Sequence, residues 1–197
     1  MTSTRLEAFS DGVLAIAITV MVLGLAVPDG DGWNDLLHTA GLGLVTYLLS
    51  FVFVGIYWNN HHHLFRLCPH VDGTVLWANL HLLFWLSLYP FTTAWLTRSR
   101  VGLVPVVVYG LNLLLAALAY VLLQTAIARG PGGDRLRLAL GKDRKGRLSL
   151  VLFVLGIGLA FVSPWLGLVP FVAAAVWWLI PDRRVERYLQ QETASEA

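Results

Sequence analysis

Apolar residues in this chain run together in blocks of membrane-spanning length, separated by short polar breaks. The blocks cover 6–27, 36–58, 74–96, 103–127, 148–163 and 165–180. A hydrocarbon core of roughly 30 Å needs about 20 apolar residues in a helix, and the first four blocks meet that length. The last two are short, with Ser163 and Pro164 between them, so they read either as tilted, partly shielded spans or as a re-entrant hairpin. The breaks are turn-rich: an acidic one at Pro28–Asp35, and a basic one opened by Gly130, Pro131, Gly132 and Gly133. The pattern predicts an all-α integral membrane protein with six transmembrane helices in a single domain, residues 1–197. It shows no internal repeat and no segment large enough for a soluble domain. The first block lacks a small-residue cleavage pattern and is expected to persist as a helix.

Composition strengthens this reading. Hydrophobic residues make up 57% and charged residues 13%, where a soluble domain carries about a quarter charged residues. The net charge of +2 is small, but its distribution sets an orientation. With both termini cytoplasmic, every Lys and Arg of the fourteen falls inside except Arg98 and Arg100: Arg5, Arg66, the run Arg129–Arg147, and Arg183, Arg184 and Arg187. Five spans would put either the basic loop or the basic tail outside, so the positive-inside rule favours six. The Arg129–Arg147 run reads as a lipid-facing loop that sets topology. The expected location is the cell membrane of a bacterium.

Candidate chemistry is sparse. Cys68 is the single cysteine, so no intrachain disulfide can form. His61, His62 and His63, with Cys68 and His70 nearby, suggest a metal. Consecutive histidines point in different directions on a helix, however, and the spacing matches no zinc pattern. No paired carboxylates, activated serine or nucleotide loop accompany them, which argues against an enzyme. No cofactor and no nucleic acid are expected.

The first block holds the informative positions. Asp11 and Arg5 lie at the mouth of an apolar helix, where charge is costly and usually functional. At about 100° per residue, Ile16, Thr19 and Leu23 share a narrow stripe flanked by Gly12. Such a stripe serves either helix packing or, if several copies surround an axis, a pore lined by apolar rings and one hydroxyl ring. Ser10 and Asp11 project away from Ile16, toward neighbouring helices.

Three ordered patterns stand out: Arg5, Phe9, Ser10 and Asp11 with Thr19; Trp58, His61, Leu64 and Phe65; and Asn79 with Pro90 and Phe91. Together they resemble the transmembrane protein 175 family, the endosomal and lysosomal potassium channels and their bacterial homologues. The likeness runs from Arg5 to Phe91; later blocks match only in number and hydropathy. The resemblance implies a potassium-permeable cation channel, passively conducting K+ along the first helix, with Ile16 and Leu23 as the narrow rings and Thr19 between them. It further implies a polar network at the pore base from Arg5, Phe9, Ser10, Asp11, Trp58, His61 and Asn79, with Asp11 accepting from a basic or imidazole partner. The animal channels carry two six-helix repeats; a chain with one must self-associate, which makes a homotetramer the expected assembly. The other expected partners are membrane lipids and monovalent cations. No T-V-G-Y-G run is present, so selectivity for K+ over Na+ should be modest. The alternative is a proton-coupled secondary transporter using Asp11 and His61, against which the chain shows no inverted repeat.

Overall fold

Helices account for the regular structure of the computed structural model, which describes residues 3–68, 71–130, 133, 136 and 144–179. In chain order they are α1 Ser3–Leu23, α2 Trp33–Arg66, α3 Gly73–Ser87, α4 Tyr89–Arg98, α5 Leu103–Arg129, α6 Arg144–Ala160 and α7 Pro164–Leu179. α3 and α4 are two halves of one broken span, so the helices group as six. By length and composition α1, α2 and α5 suffice to cross a membrane, and α7 is a shorter apolar helix. Arg135, Arg137, Lys142, Arg183, Arg184, Arg187 and His70 lie outside the described residues.

The breaks have local causes. α1 stops at Leu23 because Gly24 follows, so the expected extension to residue 27 is not helical. α2 starts where the Asp35 carboxylate accepts the Gly32 amide N–H at 3.2 Å. It then runs through the histidine-rich segment to Arg66, past the expected end at residue 58. Its 34 residues reach about 50 Å, so its polar end stands clear of a hydrocarbon core of roughly 30 Å. α3 is capped by Asp72, whose carboxylate accepts the Val75 N–H at 2.8 Å. The third span, expected to be continuous and kinked over 74–96, breaks at Leu88. Pro90 lacks an N–H and its ring crowds the carbonyl one turn earlier. Between α4 and α5, Arg100 and Val101 take φ of 50° and 64°, a region that β-branched residues avoid. Val101 is buried, and its N–H reaches the Leu96 carbonyl at 3.1 Å.

The back of the molecule packs through missing side chains. A Cβ at Gly110 would sit 2.5 Å from the Phe171 ring, and one at Gly167 would sit 2.9 Å from the Gly156 carbonyl oxygen. Phe171 wedges among α5, α6 and α7, with ring centroids 6.0 Å from Tyr109 and 6.3 Å from Phe153.

One end of the bundle gathers the start of α1, the end of α2 and the start of α3, tied by Glu7–His62 and Asn79–Ser10. The end of α5 joins it where Tyr120 donates to the Asn60 carbonyl, and α6 meets α7 there through Ser149 and Trp178. Arg5, Arg66, Arg129 and Arg147 belong to this end, and Arg98 and Arg100 to the opposite one. Large apolar side chains such as Trp33, Val45, Trp77, Phe91 and Val151 face outward, as in a helix bundle surrounded by lipid.

Candidate permeation surface

α1 has two faces of opposite character. Leu6, Ser10, Leu14, Ala17 and Met21 are buried against the other helices. Arg5, Phe9, Gly12, Ile16, Thr19 and Leu23 form one row at alternating four- and three-residue steps, and every one is exposed. Ile16 is 65% and Leu23 78% exposed, so most of each side chain lies outside the core of the chain. At Gly12 even an added Cβ would meet nothing within 4 Å. The Thr19 hydroxyl donates back to the Ala15 carbonyl at 2.8 Å. That bond uses its one proton and leaves oxygen lone pairs for an outside ligand.

The row is an α-helical consequence of sequence order. Steps of four and three residues average close to one turn, so these side chains stack along a single line. Arg5 and Phe9, expected in the structural network near the pore, share the phase of Ile16 and lie on this exposed row.

Ser10, His61 and Asn79 do come together, and all three are buried. Asn79 donates through Nδ2 to the Ser10 hydroxyl at 3.0 Å, and its Oδ1 meets His61 Nε2 at 2.8 Å. Because the amide oxygen can only accept, His61 carries its proton on Nε2 in this contact. Ser10 passes its own proton to the Leu6 carbonyl at 2.8 Å. One amide thus links α1, α2 and α3 where water is scarce and each polar atom needs a partner.

Asp11 is not part of that cluster. Its carboxylate accepts from the Trp58 indole N–H at 3.1 Å, where a basic or imidazole partner was expected. Both side chains are exposed, because Asp11 lies on the flank of α1 between the buried face and the row. The neighbouring histidines diverge. His62 Nδ1 pairs with Glu7 at 2.7 Å while His61 turns inward. Among the described residues no three His, Cys, Asp or Glu side chains group around a common point.

A second polar system escaped sequence reasoning. Ser50 Oγ lies 2.7 Å from the Thr93 hydroxyl and 3.0 Å from the Tyr109 hydroxyl, and Thr46 lies 2.6 Å from Thr97. Thr92 and Thr93, directly after the Pro90 break in an apolar block, were its visible signal. Beside it, between α1, α2 and α4, opens a groove of about 780 Å³ bordered by Ile16, Val20, Met21, Thr93 and Thr97.

A sequence profile described as the endosomal/lysosomal potassium channel TMEM175 matches residues 5–90. A potassium channel of a Chryseobacterium species is 47% identical over 192 residues, covering 97% of this chain and 100% of that protein. A potassium channel of Streptomyces collinus is 37% identical over 172 residues, covering 82% of this chain and 84% of the relative. In structure the chain is similar to a lysosomal potassium-selective channel TMEM175 homolog from Chamaesiphon minutus. The TM-score is 0.76 at 28% identity, over 90% of this chain and 96% of the other.

Proposed function

The chain belongs to the TMEM175 family, and on that premise we propose a potassium-permeable cation channel whose path is lined by the exposed row of α1. The observation that carries the reading is the contrast across that helix: Leu14 and Ala17 are buried while Ile16, Thr19 and Leu23, on the other side, are exposed. Four copies arranged about an axis, each a single six-helix domain spanning 1–197, bring those rows face to face. Ile16 and Leu23 then form apolar rings that an ion passes only by shedding water, and the Thr19 ring supplies oxygen ligands between them. Selectivity arises from constriction size and dehydration, so the preference for K+ over Na+ is modest.

Asp11 with Trp58 supports the flank of the helix, and Ser10, Asn79 and His61 hold its base. Arg5 and Phe9 stand at the mouth of the row. The termini lie in the cytoplasm of a cell whose inner surface faces the basic end, and lipid covers the outward apolar side chains. Asp11 and His61 take different partners, Trp58 and Asn79, which favours the channel reading over a coupled transporter that pairs them.

Reversal potentials under bi-ionic K+ and Na+ gradients test the reading. Replacing Ile16 with Asn wets the ring, so the K+ preference should fall while unitary conductance rises. A packing stripe predicts instead that Ile16→Asn lowers expression and leaves the ion preference of surviving channels unchanged; that outcome would overturn the proposal.

A further inference from the structure

Behind the exposed row, the outer half of α1 rests on a buried hydroxyl chain that ion permeation itself does not use. The Thr93 hydroxyl donates to Met21 Sδ at 3.9 Å. The same hydroxyl lies 2.7 Å from Ser50 Oγ, and Ser50 Oγ lies 3.0 Å from the Tyr109 hydroxyl. The chain therefore connects Tyr109 on α5 through Ser50 on α2 and Thr93 on α4 to Met21 on α1, ending on a thioether that can only accept. All four side chains are buried.

Among the described residues, the hydrogen bond from this chain to α1 falls on Met21. It lies two residues from Leu23, and about 200° around the helix places the two on opposite sides. Between Ser10 and Met21 the buried face of α1 is apolar, at Leu14 and Ala17. Beyond Met21 the helix frays into 3.2 Å bonds at Gly24 and Leu25 that span three residues. The outer end of α1 thus has a single directional contact on its back, matching the one Ser10 makes at the inner end.

We infer that Thr93 and Ser50 are positioning residues for the outer constriction: through Met21 they set how far the Leu23 side chain reaches toward the axis. The inference rests on the permeation reading and adds to it a determinant that contacts no ion. It also distinguishes two neighbouring hydroxyl pairs, because the Thr46–Thr97 contact joins α2 to α4 while Thr93 hydrogen-bonds Met21 on α1.

Bi-ionic reversal potentials of Thr93→Val and Met21→Leu channels, which remove the donor and the acceptor at nearly constant volume, test it. Each should change the K+/Na+ permeability ratio on the order of twofold, the weight of one weak hydrogen bond. Thr93→Ser, which keeps the hydroxyl, and Thr46→Val, which spares α1, should retain the wild-type ratio. Leu23→Ser serves as the reference for the path itself. If it shifts the ratio while Thr93→Val and Met21→Leu do not, the positioning role is wrong and the permeation reading survives. An equal shift in Thr46→Val would reduce the effect to general packing and also overturn the role. A wild-type ratio in Leu23→Ser would remove the permeation reading and this inference with it. Should Thr93→Val fail to assemble, Met21→Leu decides alone.

Discussion

The front of the molecule, α1 to α4, and the back, α5 to α7, hold together by different balances of contact. Between α1, α2, α3 and α4 the directional contacts are polar: the amide of Asn79 joins three helices, and hydroxyls join α2 to α4. At the back, the Trp178–Ser149 hydrogen bond is joined by close approach, with Gly110, Gly156 and Gly167 leaving space that Phe171 and neighbouring backbone occupy. Hydrogen bonds fix angle and register but leave surface free. Close packing fixes distance and consumes surface. The front can therefore hold α1 in place while leaving one of its faces open.

Breaking the back should cost most. A leucine at Gly156 would drive its side chain into Phe171 and the Gly167 carbonyl. Gly156→Leu is expected to lower stability by about 3 kcal/mol through overpacking, seen as a large fall in the melting temperature of purified protein or loss of the assembled species. A Gly156→Leu protein with wild-type melting would show that α6 and α7 can separate without consequence.

The front is expected to yield less. Asn79→Leu strands His61 Nε2 and removes the donor to Ser10, a loss of about 1–2 kcal/mol. Thermal unfolding followed by tryptophan fluorescence reads it; no change would mean the amide is replaceable. Asp11→Ala comes next. It removes the acceptor for Trp58, and because the pair is exposed the stability cost should stay below about 1 kcal/mol. Assembly should weaken slightly with ion preference intact. Altered selectivity at unchanged stability would instead place this carboxylate in the ion path.

Thr19→Val sharpens the comparison at its finest. Valine keeps the volume and removes the outward-facing oxygen, while the lost bond to Ala15 is internal to an already complete helix. Melting should not move, and the K+ preference should fall by less than in Ile16→Asn. A stability loss without a change in reversal potential would assign Thr19 to the packing side of α1.

Much of this was legible in the chain, for reasons that differ residue by residue. Helix phase follows from covalent geometry, so the common line of Ile16, Thr19 and Leu23 could be read from spacing alone. Asn79 was recognisable as an amide in need of a partner because hydrocarbon supplies none. The partner of Asp11 was not legible: an indole and an imidazole three residues apart on α2 could each reach it, and only the relative rotation of α1 and α2 selects Trp58. The Pro90 position announced a disturbance, and the helix is interrupted at the single residue Leu88, which keeps right-handed helical dihedrals.

By itself the amino-acid order determined that the chain is helical and apolar, which residues share a face, where the basic charge gathers, and that a lone Thr interrupts the apolar row of α1. These properties depend on spacing along one helix or on composition, and neither needs a neighbour. Tertiary structure alone decided that the row faces away from the core of the chain, that Ser50, Thr93 and Tyr109 from three separate helices meet behind Met21, and that Gly110 and Gly156 converge on one phenyl ring. Each of those facts is a distance between residues far apart in the chain. Such distances follow from how the helices rotate and approach one another, which no single helix encodes.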